Sequence, residues 1–158
     1  MSLFNDTLDA LWTILDADEA FAALMTKGTK YKLASGEMLR PLLYEPAWCP
    51  ILAIAPEPDG SQWPPARRDR GPGLAQLFAV RVEGATSGQA RAPVLALSEG
   101  FYDAIAADMV RVTGSKLKAL GVNEVDFQGL SFEPRPGPND VIETWSFRVT
   151  CLVKYRVS

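Results

Sequence analysis

The chain has 158 residues, 47% hydrophobic and 22% charged, a formal net charge of −3 and no histidine. That length and balance fit one domain spanning 1–158 with a sizeable core, and they argue against disorder and against a general nucleic-acid binder, which carries a net basic field. The missing histidine removes the commonest general base near neutral pH, the usual serine and cysteine triads and most zinc sites, leaving carboxylate or lysine chemistry.

No apolar run approaches the roughly 20 residues that cross a bilayer. The opening "MSLFNDTLDALW" has acids where a signal peptide has a basic and then an apolar region. The expectation is a protein kept in the cytoplasm or assembled there into something larger. Cys49 and Cys151 lie in apolar, strand-like contexts and read as buried thiols rather than as a disulfide.

In chain order, "FNDTLDALWTILDADEAFAALMTKG" reads as two short helices with a corner between them. Asn5 or Asp6 caps the first, and Leu8, Leu11, Trp12 and Leu15 form its apolar face. Asp16 or Asp18 caps the second, with Phe21, Leu24 and Met25 as its stripe and Gly28 as its stop. Prolines then interrupt any regular pattern until "CPILAIAP", a mostly buried strand bounded by Pro50 and Pro56. Residues 57–73 are a flexible loop rich in proline and arginine, and "LAQLFAVRVEG" resumes a strand, so that the two strands form a hairpin around it.

"APVLALSEGFYDAIAADMVRVTGSKLKALG" is the main helical region. Pro93 suits its first turn, and Leu97, Phe101, Ile105 and Met109 step along one face beside Val94 and Ala104. Asp103 and Asp108 flank that stripe and read as solvated. Gly114 ends or kinks the helix, and Ser115 caps a last short turn closed by Gly121. In "NEVDFQGLSFEP" the apolar parity changes between Val125 and Phe127 on one side and Leu130 and Phe132 on the other. One extra residue near Gln128–Gly129 puts all four on one face, as a bulge does. After the turn "RPGPND" comes a terminal strand. Its odd-numbered residues from Val141 to Val157 share a face, and Arg148, Thr150, Lys154 and Arg156 lie opposite. The fold class is α+β, a mostly antiparallel sheet with one main amphipathic helix packed on it and two short N-terminal helices.

The terminal strand is long. Fully extended it spans roughly 55 Å, against roughly 40 Å for the diameter of a compact chain of this length. It must bend at a bulge, protrude, or lie against another copy, and the last option favours an oligomer because long open edges aggregate unless covered.

Candidate chemistry is sparse. Asp16, Asp18 and Glu19 resemble a metal cluster but sit where helix starts prefer acids. Neither "GPG" nor "GATSG" is a phosphate loop, "VTGSK" is a helix break, and Ser98 lacks the glycines and the base of a nucleophile elbow. Trp63, Arg67, Arg68 and Arg70 form the single basic-aromatic patch, suited to phosphates or to a negatively charged protein surface. Trp145 and Phe147 read as core rather than interface anchors. No catalytic, cofactor or metal constellation emerges.

The whole order, from "LDALWTILDADEAFAALM" through "CPILAIAPEP" and "QLFAVRVEG" to "TWSFRVTCLVKYRVS", resembles the tail terminator, or tail completion, proteins of long-tailed bacteriophages and related prophages. The resemblance covers nearly the whole chain as order and hydrophobic pattern. It implies a non-enzymatic subunit that assembles in the host cytoplasm into a homo-oligomeric, hexameric ring, caps the tail tube in the virion and ends its polymerisation. The implied partners are other copies, the tail tube protein and the head-side connector, with no membrane, no specific nucleic acid and no cofactor. The interface residues expected are Trp63, Arg67, Arg68, Arg70, Arg148, Lys154 and Arg156. The proline- and arginine-rich loop and "KLKALGVNEV" depart from the family pattern. Two other classes remain: a small ligand-binding domain or enzyme using carboxylates, marked by a deep pocket with convergent Asp or Glu, and a nucleic-acid module, marked by loop arginines aligned with Arg148, Lys154 and Arg156.

Overall fold

The computed structural model describes residues 3–25, 29–32, 46–57 and 75–156. Helix α1 (Leu3–Ala17) buries Thr7, Leu8, Leu11, Ile14 and Leu15, a stripe at three- and four-residue spacing. It starts at Leu3, so Asn5 and Asp6 lie inside the first turn rather than at its cap. The corner is set by Asp18, whose extended backbone breaks the helix while its carboxylate accepts the Phe21 N–H at 2.8 Å. Such a cap satisfies one of the unpaired amides that open every helix. Helix α2 (Glu19–Leu24) then drops Phe21 into the core. The expected stop at Gly28 lies outside the described residues.

Among the described residues five strands form one sheet: β1 (Thr29–Lys32), β2 (Ile51–Pro56), β3 (Ala75–Ser87), β4 (Val122–Pro136) and β5 (Ile142–Arg156), in the order β1-β2-β3-β5-β4. The β1 strand falls in a stretch that reads as irregular, and it pairs with β2 in parallel, Thr29 beside Ile51. The β2–β3 pair is antiparallel, as a hairpin requires. Of its connection only Glu57 is described. All of Ile51–Ala55 is buried, which is why this strand shows a continuous apolar run without alternation.

Between β3 and β4 lies α3 (Ala92–Met109), with proline in its first turn. Val94, Leu97, Phe101, Ala104 and Ile105 face the sheet, where they meet Leu52, Val80, Val82, Phe147, Val149 and Cys151 in a single core. Asp108 is not solvated. It is 5% exposed, and its carboxylate accepts the Ser115 hydroxyl at 2.8 Å and the Lys116 and Leu117 amides at 2.9 and 3.1 Å. The chain turns back past the helix end and supplies these donors, which is what makes burial of a carboxylate tolerable. The residue at the N-cap of the 3-10 turn Lys118–Leu120 is Leu117 rather than Ser115, though the Ser115 hydroxyl accepts the Lys118 amide at 3.1 Å, and Gly121 closes the turn in the left-handed region at φ 86°.

The parity change in β4 is a bulge. Gln128 pairs with Thr150 and Ser131 with Arg148, so Gly129 and Leu130 together oppose Val149 alone. Gly129 takes φ 67°, a conformation that favours glycine. Val125, Phe127 and Phe132 reach the core as expected, but Leu130 sits in the bulge and is 55% exposed. The terminal strand also departs from expectation. It is an interior strand, paired with β3 from Thr144 to Arg156 and with β4 from Ile142 to Tyr155. Both its edges are covered within one molecule. The sheet is elongated along its strands, which accommodates this length: strands of 13, 15 and 15 residues run side by side, with three register shifts between β4 and β5. Its surplus therefore does not require a second copy.

Candidate assembly interface

The cations expected at an interface on β5 share the sheet face opposite the helices, but each is engaged along the strand. Arg148 donates to Glu83 at 2.9 Å. Glu83 is buried and also lies 3.9 Å from Arg81, which reaches on to Glu57. Lys154 holds Glu124 at 3.1 Å and Asp126 at 2.5 Å, and these hydrogen bonds raise its pKa above the ordinary lysine value. Arg156 donates to the Asn123 side chain at 3.3 Å. At about 3.3 Å per residue, Arg148 and Arg156 stand roughly 26 Å apart, so they form a stripe rather than a pocket. Trp63, Arg67, Arg68 and Arg70 lie outside the described residues.

A different feature stands out at the end of the sheet. Among the described residues β4 has no strand on its outer side. The Arg156 amide bonds to the Gly121 carbonyl at 2.8 Å, which fixes the phase of the β4–β5 ladder: even-numbered residues of β5 turn their peptide groups toward β4. Their partners Glu124, Asp126 and Gln128 are therefore bonded inward, and Val125 and Phe127 present N–H and C=O groups to the outside. Pro134 pairs with the odd-numbered Trp145 and so occupies an outward position, where a missing N–H costs the ladder nothing. Proline thus guards the far half of the edge, and the near half between the shifts at Asn123 and Gly129 is open. Beside it, Tyr102 of α3 is 51% exposed and packs on Phe127 with ring centroids 4.8 Å apart. Sequence alternation indicates the strand but not its position at the sheet's end, and the one legible signal is the pair Pro134 and Pro136.

Among the described residues, several groups that chemistry could use are engaged in the fold. The Ser98 hydroxyl donates to the Leu95 carbonyl at 2.9 Å, and the buried carboxylates Glu83 and Asp108 are bound as described. Burial pushes the half-buried Cys49 thiol to about 11 and raises the fully buried Cys151 further. A cavity of about 580 Å³ opens between the end of α3 and the start of β4, lined by Met109, Lys118, Gly121, Val122, Asn123 and Arg156, with no carboxylate among them. Among the described residues no group of three or more His, Cys, Asp and Glu is arranged to hold a metal ion, and no helix is long and apolar enough to cross a membrane.

No protein-family profile matches the chain, and no curated protein matches it. Among solved structures, the chain is similar to one in the virion of the native gene transfer agent (GTA) particle. The TM-score is 0.59 at 17% identity, over 95% of this chain and 94% of that one. At this identity the likeness is one of fold, and it extends over nearly the whole length of both chains.

Proposed function

We propose that this chain is a structural subunit of a virion particle, and specifically that it closes the end of a phage tail tube as a homo-oligomeric ring, with six copies the expected number. The observation that carries the reading is the full-length fold likeness to a chain of a gene transfer agent virion, joined to the resemblance of the sequence to tail terminators. The subunit is a single domain over 1–158 that acts without catalysis. It assembles in the host cytoplasm and then resides in the virion tail, with the tail tube protein on one side and the head-side connector on the other. The stripe of Arg148, Lys154 and Arg156, together with Trp63, Arg67, Arg68 and Arg70 of the loop, is the proposed contact surface for those partners. Much of its cationic charge on β5 is already matched by Glu83, Glu124 and Asp126, which suits a protein surface better than nucleic acid, whose binding draws on free cations.

The test is assembly. Native mass spectrometry should find a closed oligomer, alone or with tube protein, and electron microscopy should find a ring at the tube end. Added to polymerising tube protein, the chain should shorten the tubes. A chain that stays monomeric with tube protein present and leaves tube length unchanged would overturn the reading.

A further inference from the structure

We infer that the near half of the β4 edge, Glu124–Gln128, receives β1 of a second copy of this chain, so that the sheets of neighbouring subunits join head to tail. The inference rests on the reading of the chain as a ring-forming subunit and names the contact that would build the ring.

Strand direction is the first support. The β1 and β2 strands are parallel, and three antiparallel steps follow, β2 to β3, β3 to β5 and β5 to β4. The two ends of the sheet therefore run in opposite directions. A second copy in nearly the same orientation lays its β1 antiparallel against β4, with its helices on the same side. Contacts of this heterologous kind repeat around a ring, whereas pairing of β4 with another β4 would stop at a dimer. Among the described residues β1, like β4, has no strand on its outer side.

Length and chemistry agree with direction. The open stretch of β4 between the first two of its three register shifts is five residues, Glu124–Gln128, and β1 is four, Thr29–Lys32. Proline at 134 denies strand addition farther along, so only this stretch accepts a full set of backbone bonds. The β1 sequence carries lysine at 30 and 32, and the β4 flank carries the Tyr102–Phe127 ring pair. Ammonium groups over aromatic faces are a recognised source of attraction at such contacts.

Two experiments test the inference together. Val125→Pro deletes an outward N–H and leaves the β4–β5 ladder bonded. It should reduce the oligomer to monomer, with the far-ultraviolet circular dichroism spectrum unchanged. If that variant fails to fold, paired cysteines decide. Lys30→Cys or Lys32→Cys, each combined with Val125→Cys, should give on mild oxidation a ladder of dimers, trimers and larger species, which no single variant gives. Val125→Pro that folds and assembles like the unaltered chain, or paired cysteines that give no ladder, would overturn the β4–β1 contact. If the unaltered chain still forms rings in that case, the ring reading survives and only this contact falls. Cross-linked dimers from Val125→Cys alone would indicate β4–β4 pairing and also overturn it. An unaltered chain that stays monomeric with tube protein present and leaves tube length unchanged, with no cross-links from the paired cysteines, removes both.

Discussion

Asp108 illustrates how one side chain holds a segment that has no regular structure of its own. Its two oxygens collect a hydroxyl and two amides from Ser115–Leu117, and Ser115 passes the restraint on to the 3-10 turn. Asp108→Ala leaves those donors buried without an acceptor, and unsatisfied groups of this kind cost about 1–3 kcal/mol. The expected result is a loss of about 2–3 kcal/mol in urea denaturation, with the slope unchanged. Helical spacing places Asp108 correctly at the margin of the apolar stripe, yet its burial is not legible there. Its partners lie seven to nine residues onward, past the helix end, where no periodicity connects them. Asp18 is the opposite case: a cap acts within three residues, so the sequence narrows the role to Asp16 or Asp18 and the structure assigns it to Asp18.

At the scale of elements, the sheet and helix meet where a side chain is absent. Gly84 sits on β3 beneath α3, and a Cβ there would stand 2.5 Å from a ring carbon of Phe147 and 3.1 Å from methyl groups of Leu52 and Leu97. Gly84→Ala should therefore destabilise by about 1–3 kcal/mol, the usual cost of overpacking, visible as a lowered melting temperature. Alternation indicates β3, β4 and β5, and even the bulge in β4, because each is long and buries one face. Leu130 escapes that reading, since a bulged residue no longer follows the parity of its neighbours. The β1 strand escapes it for another reason: four residues carry too little pattern, and their partner lies 22 positions away across a proline-broken stretch. Which strand ends at the middle of the sheet is a property of pairing, and residue patterns do not encode it.

For the molecule as a whole, the two ends of the described chain are tied by Thr7 and Tyr155. The Thr7 hydroxyl lies 2.8 Å from the Leu3 carbonyl and 2.5 Å from the Tyr155 hydroxyl, a contact in which either hydroxyl can donate. Burial raises the phenol to about 12, and the Thr7 bond offsets part of that rise. An unfolded tyrosine releases its proton near pH 10, while the folded one holds it until about 12. The resulting stabilisation is complete below pH 10 and is lost as the pH climbs to about 12, on the order of 2 kcal/mol in all. Tyr155→Phe should be less stable than the unaltered chain at neutral pH by about 1 kcal/mol for the lost hydrogen bond. That deficit should shrink and then reverse between pH 10 and 12 in denaturant titrations. The interior place of β5 also governs how the chain matures during synthesis. When translation has passed residue 141, β3 and β4 have both been made, yet nothing joins them, because the strand each bonds to is the one still being made. The nascent chain thus carries two sheet fragments with mating edges uncovered, and its sheet closes in one late, long-range step. A product cut short before β5 leaves β3 and β4 without the strand that joins them, so the sheet exists only in chains whose translation has run through it.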